Sequence, residues 1–154
     1  MESAVLEIID YRSEHQPWFE KFNREWIEEH FWMEHIDTAV LQNPEKYIIS
    51  KGGAILIASL DKEIAGTVGL KLNDDGIYEF TKMAVDKKFR GKKIGQALAE
   101  AAIQKAKELK AEKIILYSNT KQVPAIALYQ KLGFIEIPND GLYERGNIKM
   151  ELTL

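Results

Sequence analysis

Met83-Ala84-Val85-Asp86-Lys87-Lys88-Phe89-Arg90-Gly91-Lys92-Lys93-Ile94-Gly95-Gln96-Ala97-Leu98 is the stretch on which the fold turns. It begins inside the segment Ile77–Val85, which reads as a strand, and it ends in a different period. Ile94, Ala97, Leu98, Ala101, Ala102, Ala106 and Leu109 follow the i, i+3, i+4, i+7 spacing of an amphipathic helix. Between the two, five of the seven residues from Lys87 to Lys93 are basic, in a chain of formal net charge −3. The first N–H groups of a helix have no intrahelical partners, and the positive end of its dipole points outwards there. Gly91 and Gly95 let a ligand come close to the backbone. The combination suits an anion, with a diphosphate as the natural guest. Charge and glycine content alone fit a solvated basic turn capping a helix equally well. Other phosphate motifs are missing: neither G-x-x-x-x-G-K-[ST] nor an opening G-x-G-x-x-G is present.

Upstream, Ala54–Leu60 and Ile64–Leu72 read as strands joined by the polar turn Asp61-Lys62-Glu63. Asn73-Asp74-Asp75-Gly76 is the next turn, so with Ile77–Val85 the middle of the chain forms an antiparallel meander. Before it, Val5–Tyr11 patterns as a half-buried strand and His15–His30 as a helix, with Pro17 in its first turn. A short helix is expected from Met33 to Leu41, stopping before Pro44. Downstream come a continuous apolar strand Lys113–Tyr117, a helix Pro124–Leu132 ended by Gly133, and closing strands Phe134–Ile137 and Asn147–Leu154. The order β-αα-βββ-α-β-α-ββ describes an α/β (α+β) sheet covered by helices, with residues 1–154 as one domain.

The 154 residues are 45% hydrophobic and 29% charged, ordinary values for a packed domain and unlike those of a disordered chain. The acidic balance gives no general attraction to nucleic acid or to an anionic membrane, so neither is expected as a partner. With no cysteine, disulfides, thiolate metal ligands and an acyl-cysteine intermediate are excluded. Met1-Glu2-Ser3, followed by a short apolar run broken at Glu7, does not read as a leader, and no apolar stretch approaches about 18 residues. A cytoplasmic setting is expected.

The stretch Met83–Leu98 resembles the coenzyme A segment of the GNAT superfamily of N-acetyltransferases, which carries [QR]-x-x-G-x-[GA] after a hydrophobic strand. Ser118-Asn119-Thr120-Lys121-Gln122-Val123-Pro124-Ala125-Ile126-Ala127-Leu128-Tyr129-Gln130-Lys131-Leu132-Gly133-Phe134 resembles the downstream signature of the same family. The resemblance covers about Leu56 to Phe134 well. It implies the acyl-CoA N-acyltransferase fold, a mixed and mostly antiparallel sheet of about six or seven strands flanked by about four helices. It implies acetyl-CoA as cosubstrate and a primary amine as acceptor, with no metal. Met83, Ala84 and Val85 would pair with the pantetheine arm. Arg90, Gly91, Lys92, Lys93, Ile94, Gly95 and Gln96 would surround the pyrophosphate, and Asn119, Ala125 and Tyr129 would line the arm. Lys93 departs from the pattern, which has glycine there; its amide is expected to serve only if the backbone avoids positive φ. Many members of the family pair, so a homodimer is compatible with the resemblance.

Two catalytic roles follow from the same likeness. Tyr129 stands where the family places a tyrosine beside the thioester sulfur, and a phenol can protonate a departing thiolate. Read alone, it is a packed core tyrosine. Glu79 falls where some members keep a glutamate that takes the acceptor's proton; read alone, it is a solvent-facing strand residue or one half of a salt bridge. A coenzyme A-binding regulatory module without turnover is the alternative function, with Lys93 as its motive. His30 and His35 lack the H-E-x-x-H spacing of a metal helix. The stripe Trp18, Phe22, Trp26 reads as core or as one wall of an acceptor pocket. Glu28, Glu29, Glu34 and Asp37 lie near that wall and read either as favouring a cationic acceptor or as exposed helix acids that serve only solubility, and Tyr143-Glu144-Arg145-Gly146 is a further candidate for completing the pocket.

Overall fold

The computed structural model describes residues 5–74, 76–143 and 145–154. The readings made on Met1-Glu2-Ser3, on Asp75 and on Glu144 lie outside them. Strand β1 (Leu6–Asp10) is followed by helices α1 (Gln16–His30), α2 (His35–Gln42) and α3 (Pro44–Tyr47). Strands β2 (Ala54–Leu60), β3 (Glu63–Asp74) and β4 (Ile77–Val85) form the meander. Then come α4 (Ile94–Glu108), β5 (Lys113–Ser118), α5 (Val123–Lys131), β6 (Ile135–Ile137) and β7 (Ile148–Thr153). The strands make one sheet in the order β1-β2-β3-β4-β5-β7-β6. Among the described residues β4 and β5 alone are parallel neighbours, and every other pair is antiparallel. This is the mixed sheet expected from the sequence.

Local chemistry explains the boundaries. Asp61 and Lys62, at φ 48° and 69°, make the two-residue turn between β2 and β3, where left-handed backbone matches the strand twist. Gly133 at φ 104° ends α5. Helix α2 starts two residues later than expected because Glu34 and Asp37 cap it reciprocally, each side chain accepting from the other's backbone N–H. Pro44, expected only to stop a helix, opens α3 instead, a position where proline's missing N–H costs nothing.

Alternation along β2 shows how the sheet divides the interior. Leu56, Ala58 and Leu60 face one core with Leu98, Ala102 and Phe134, beneath α4 and α5. Ile55 and Ile57 face the other, with Phe19, Ile27 and Leu41 of α1 and α2. No described helix is long and apolar enough to cross a membrane.

Candidate active site

Strands β4 and β5 pair only from Ile77 opposite Lys113 to Phe80 opposite Leu116. Beyond that point β4 stays with β3 as far as Val85, while β5 stays with β7 as far as Ser118. The strands part, and among the described residues the β5-facing edge of β4 from Thr81 onward has no partner strand. A cavity of about 130 Å³ lies in the gap. Thr81, Lys82 and Met83 line it on one side, and Tyr117, Ser118 and Asn119 on the other. Helix α1 adds Asn23, Trp26 and Ile27, so Trp26 is a pocket wall while Trp18, 41% exposed, is outside.

Glu79 reaches this cavity from β4 and is only 2% exposed. Asn73 donates its Nδ2–H to Oε1 at 3.0 Å, and the Tyr143 hydroxyl donates to Oε2 at 2.8 Å. It is therefore neither a solvent-facing strand residue nor, among the described residues, half of a salt bridge. Burial, and then the Glu79 carboxylate, push the Tyr143 hydroxyl well above the ordinary tyrosine range, so it stays a donor.

Tyr129 lines the same cavity from α5. Its ring packs edge-on against Phe80 and Phe134, with centroids 5.6 and 5.9 Å away. Burial raises its pKa well beyond that of free tyrosine. The core role and the cavity-facing position hold together. Ala125 also lines the cavity. Asn119 does too, but both ends of its amide are engaged: Nδ2 donates to the Arg145 carbonyl at 2.8 Å and Oδ1 accepts from the Lys121 N–H at 2.9 Å. It thereby ties the Arg145 backbone to the end of β5.

The basic loop lies at the far end of the exposed β4 edge, where Val85, Arg90, Gly91, Lys93 and Gly95 line a shallow depression. Gly91 and Lys93 have φ 83° and 61°, while Lys92 between them does not. Such alternation turns successive N–H groups toward a common anion. The condition set for the Lys93 amide, a backbone away from positive φ, is thus not met: Lys93 is left-handed, at about 1–2 kcal/mol for a residue with a Cβ, and it is this turn, not its avoidance, that aims the N–H groups of the loop together. The first intrahelical bond of α4 runs from the Ala97 N–H to the Lys93 carbonyl at 3.1 Å, so the amides of Ile94, Gly95 and Gln96 precede it. A Cβ at Gly91 would meet nothing within 4 Å. The side chains of Ile94 and Ala84 are buried, leaving only their backbone to serve, and Gln96 is turned along the helix to Glu100. Arg90 makes a two-pronged pair with Glu29 of α1, at 3.3 and 3.2 Å. The Arg90 hydrogen bonds hold the Glu29 carboxyl below its usual range.

Sequence reasoning missed Lys82. It sits at φ 56° in a bulge, because Thr81 opposes Gly69 and Ala84 opposes Thr67, leaving one extra residue in β4. The bulge is pinned by a relay: Asn23 donates to Thr67 Oγ1 at 3.0 Å, and the Thr67 hydroxyl donates to the Lys82 carbonyl at 3.1 Å. Lys82 Nζ lies 3.6 Å from Asp37 Oδ1. Asp37 in turn is gripped by both terminal guanidinium nitrogens of Arg145, Nη1 donating to Oδ2 and Nη2 to Oδ1, the latter at 2.9 Å. Burial would raise Asp37, but the Arg145 bonds, the Glu34 amide and Lys82 outweigh it, and its carboxyl titrates below the usual range. For Lys82 burial prevails over Asp37, and its ammonium titrates below the ordinary lysine value. Asp37 is thus not one of a row of exposed helix acids; it is 2% exposed.

A family model described as Acetyltransferase (GNAT) family matches residues 9–134. N-acetylaspartate synthetase of Mus musculus is 31% identical over 101 residues, covering 65% of this chain and 33% of that protein. The chain spans between a third and a half of the length of the first curated relatives it matches. An acetyltransferase of the GNAT family from Staphylococcus aureus Mu50 superposes with a TM-score of 0.87 at 26% identity, over 97% of this chain and 99% of that one. PaiA N-acetyltransferase from Thermoplasma acidophilum, solved in complex with coenzyme A, shares the fold at a TM-score of 0.76 and 19% identity, over 97% and 99%.

Proposed function

Since the chain belongs to the GNAT acetyltransferase family, we propose that it moves an acetyl group from acetyl-CoA to a primary amine by direct transfer in a ternary complex. One observation carries the reading: a carboxylate, Glu79, and a protonated phenol, Tyr129, line one cavity beside an unpaired strand edge that leads to an anion-binding loop. The β4 edge suits the pantetheine arm. The Gly91–Gln96 amides, with Arg90, Lys92 and Lys93, suit the pyrophosphate. That a coenzyme A complex is known for PaiA N-acetyltransferase supports the same ligand here.

In this mechanism Glu79 takes the acceptor's proton, directly or through water, as the amine nitrogen attacks the thioester carbon. Backbone N–H groups of Met83–Val85 polarise the carbonyl oxygen. The carbon–sulfur bond breaks, and the Tyr129 hydroxyl protonates the departing thiolate. With no cysteine to carry an acyl group, kinetics are sequential; acyl release before acceptor binding would contradict the scheme.

A thermal melt with acetyl-CoA tests the reading first, with dephospho-coenzyme A and ATP as controls. Ligand at about 100 times Kd stabilises by roughly 2.7 kcal/mol, a shift of several degrees. No shift at millimolar acetyl-CoA would sink the proposal. A shift without transfer to any amine would favour the regulatory alternative that the Lys93 position suggests.

A further inference from the structure

Lys82 is the group in the cavity that the transfer chemistry leaves unused. Glu79 and Lys82 are three residues apart on β4, so regular alternation would send their side chains to opposite faces of the sheet. The bulge supplies the extra residue that cancels this, and Lys82 meets Asp37 of α2 on the face that Glu79 occupies. Its separation from Asp37, 3.6 Å, is an ion-pair distance longer than an ordinary hydrogen bond. Asp37 is the one hydrogen-bonding partner that Lys82 has among the described residues, at that long distance, although an ammonium carries three N–H donors and the side chain is only 14% exposed. The other cation lining the cavity, Arg145, is committed to Asp37 by two hydrogen bonds and stands 3.6 Å from Glu34. Asp37 and Glu34 do not line the cavity; among the described residues Glu79, Lys82 and Arg145 are its charged walls. A molecule entering it meets an anion at Glu79 and, farther along β4, an ammonium with donors to spare.

We infer that Lys82 recognises a carboxylate on the acceptor, and that the acceptor is a small amine of the amino-acid class, carrying amine and carboxylate in one molecule. The inference rests on the acetyltransferase reading. The amine goes to Glu79 and the carboxylate to Lys82, where it takes up the ammonium N–H groups that the single long contact to Asp37 leaves over. An acceptor lacking the carboxylate leaves those N–H groups buried without it.

Matched acceptors test this: an α-amino acid, its carboxamide and its decarboxylated amine, with β- and γ-amino acids to find the spacing. The wild type is expected to favour an acid over its amide by about ten- to a hundredfold in kcat/KM. Lys82→Asn, whose side chain tolerates left-handed backbone, should collapse that ratio through the acid alone, and Lys82→Arg should largely keep it. Melts with acetyl-CoA show whether each variant is folded; if Lys82→Asn is not, the wild-type ratio decides the matter. Equal use of acid and amide by the wild type, or an unchanged ratio in Lys82→Asn, would overturn the inference and leave acetyl transfer standing. Cofactor binding with no transfer to any amine would overturn both.

Discussion

Glu79 and Tyr129 illustrate how little a residue's type says until its neighbours are known. Asn73 and Tyr143 hold the Glu79 carboxylate in place, and burial keeps Tyr129 protonated. Glu79→Gln should lower kcat/KM by about 10²- to 10⁴-fold. The loss should narrow as pH rises toward the pKa of the acceptor amine, because free amine then needs no base. Tyr129→Phe should slow thiolate departure with little change in acceptor KM. A raised folded pKa also means that Tyr129 stays protonated above pH ~10, where an ordinary tyrosine begins to ionise. The wild-type rate profile should therefore show no alkaline decline from this group. Full activity in both variants would remove both assignments. Lys93 makes the complementary point: the sequence shows a lysine where the resembling pattern has glycine, but only the φ of 61° shows that the backbone there is in the left-handed form that glycine adopts freely.

At the scale of elements, strand β4 was legible from Ile77 to Val85 because a polar turn and a basic loop bound it, and helix α4 to within a residue of its start because its apolar residues repeat at helical spacing. The bulge inside β4 was not. It depends on register against β3 and on a relay from Asn23 of α1, contacts between segments that no local pattern encodes. Asn23→Ala removes the amide that supports Thr67 and also bonds the Phe19 carbonyl. It should cost about 1–3 kcal/mol in urea unfolding. If the bulge aims Lys82, the same variant should weaken acceptor binding more than cofactor binding. Helix α3 was missed for a simpler reason: proline both ends and begins helices, and Pro44 begins one.

Across the whole molecule, the pair that most needed the fold to be seen is Arg145 with Asp37, 108 residues apart. The sequence suggested Tyr143-Glu144-Arg145-Gly146 as a pocket element, but nothing local names its partner. The Asp37 carboxyl titrates below its unfolded value, so its contribution to stability is present above about pH 3.9. That contribution is lost as pH falls through the lower folded value. Arg145→Met leaves the buried carboxylate without its main partner, at about 3–5 kcal/mol. Its acid unfolding should begin at a higher pH than in the wild type, as followed by circular dichroism; coincident acid transitions would show that the pair contributes little. The Glu29–Arg90 pair spans the molecule in the same way, joining α1 to the basic loop. Because Arg90 already has a carboxylate, a phosphate arriving there trades one anion for another and displaces fewer counterions than a bare guanidinium would. Cofactor affinity would then vary with ionic strength less steeply than five clustered basic residues suggest. The displaced carboxylate would be left at the negative end of α1's dipole, loosening the turn that carries Trp26 and Ile27, so occupancy at one end of β4 would be felt as compliance at the other.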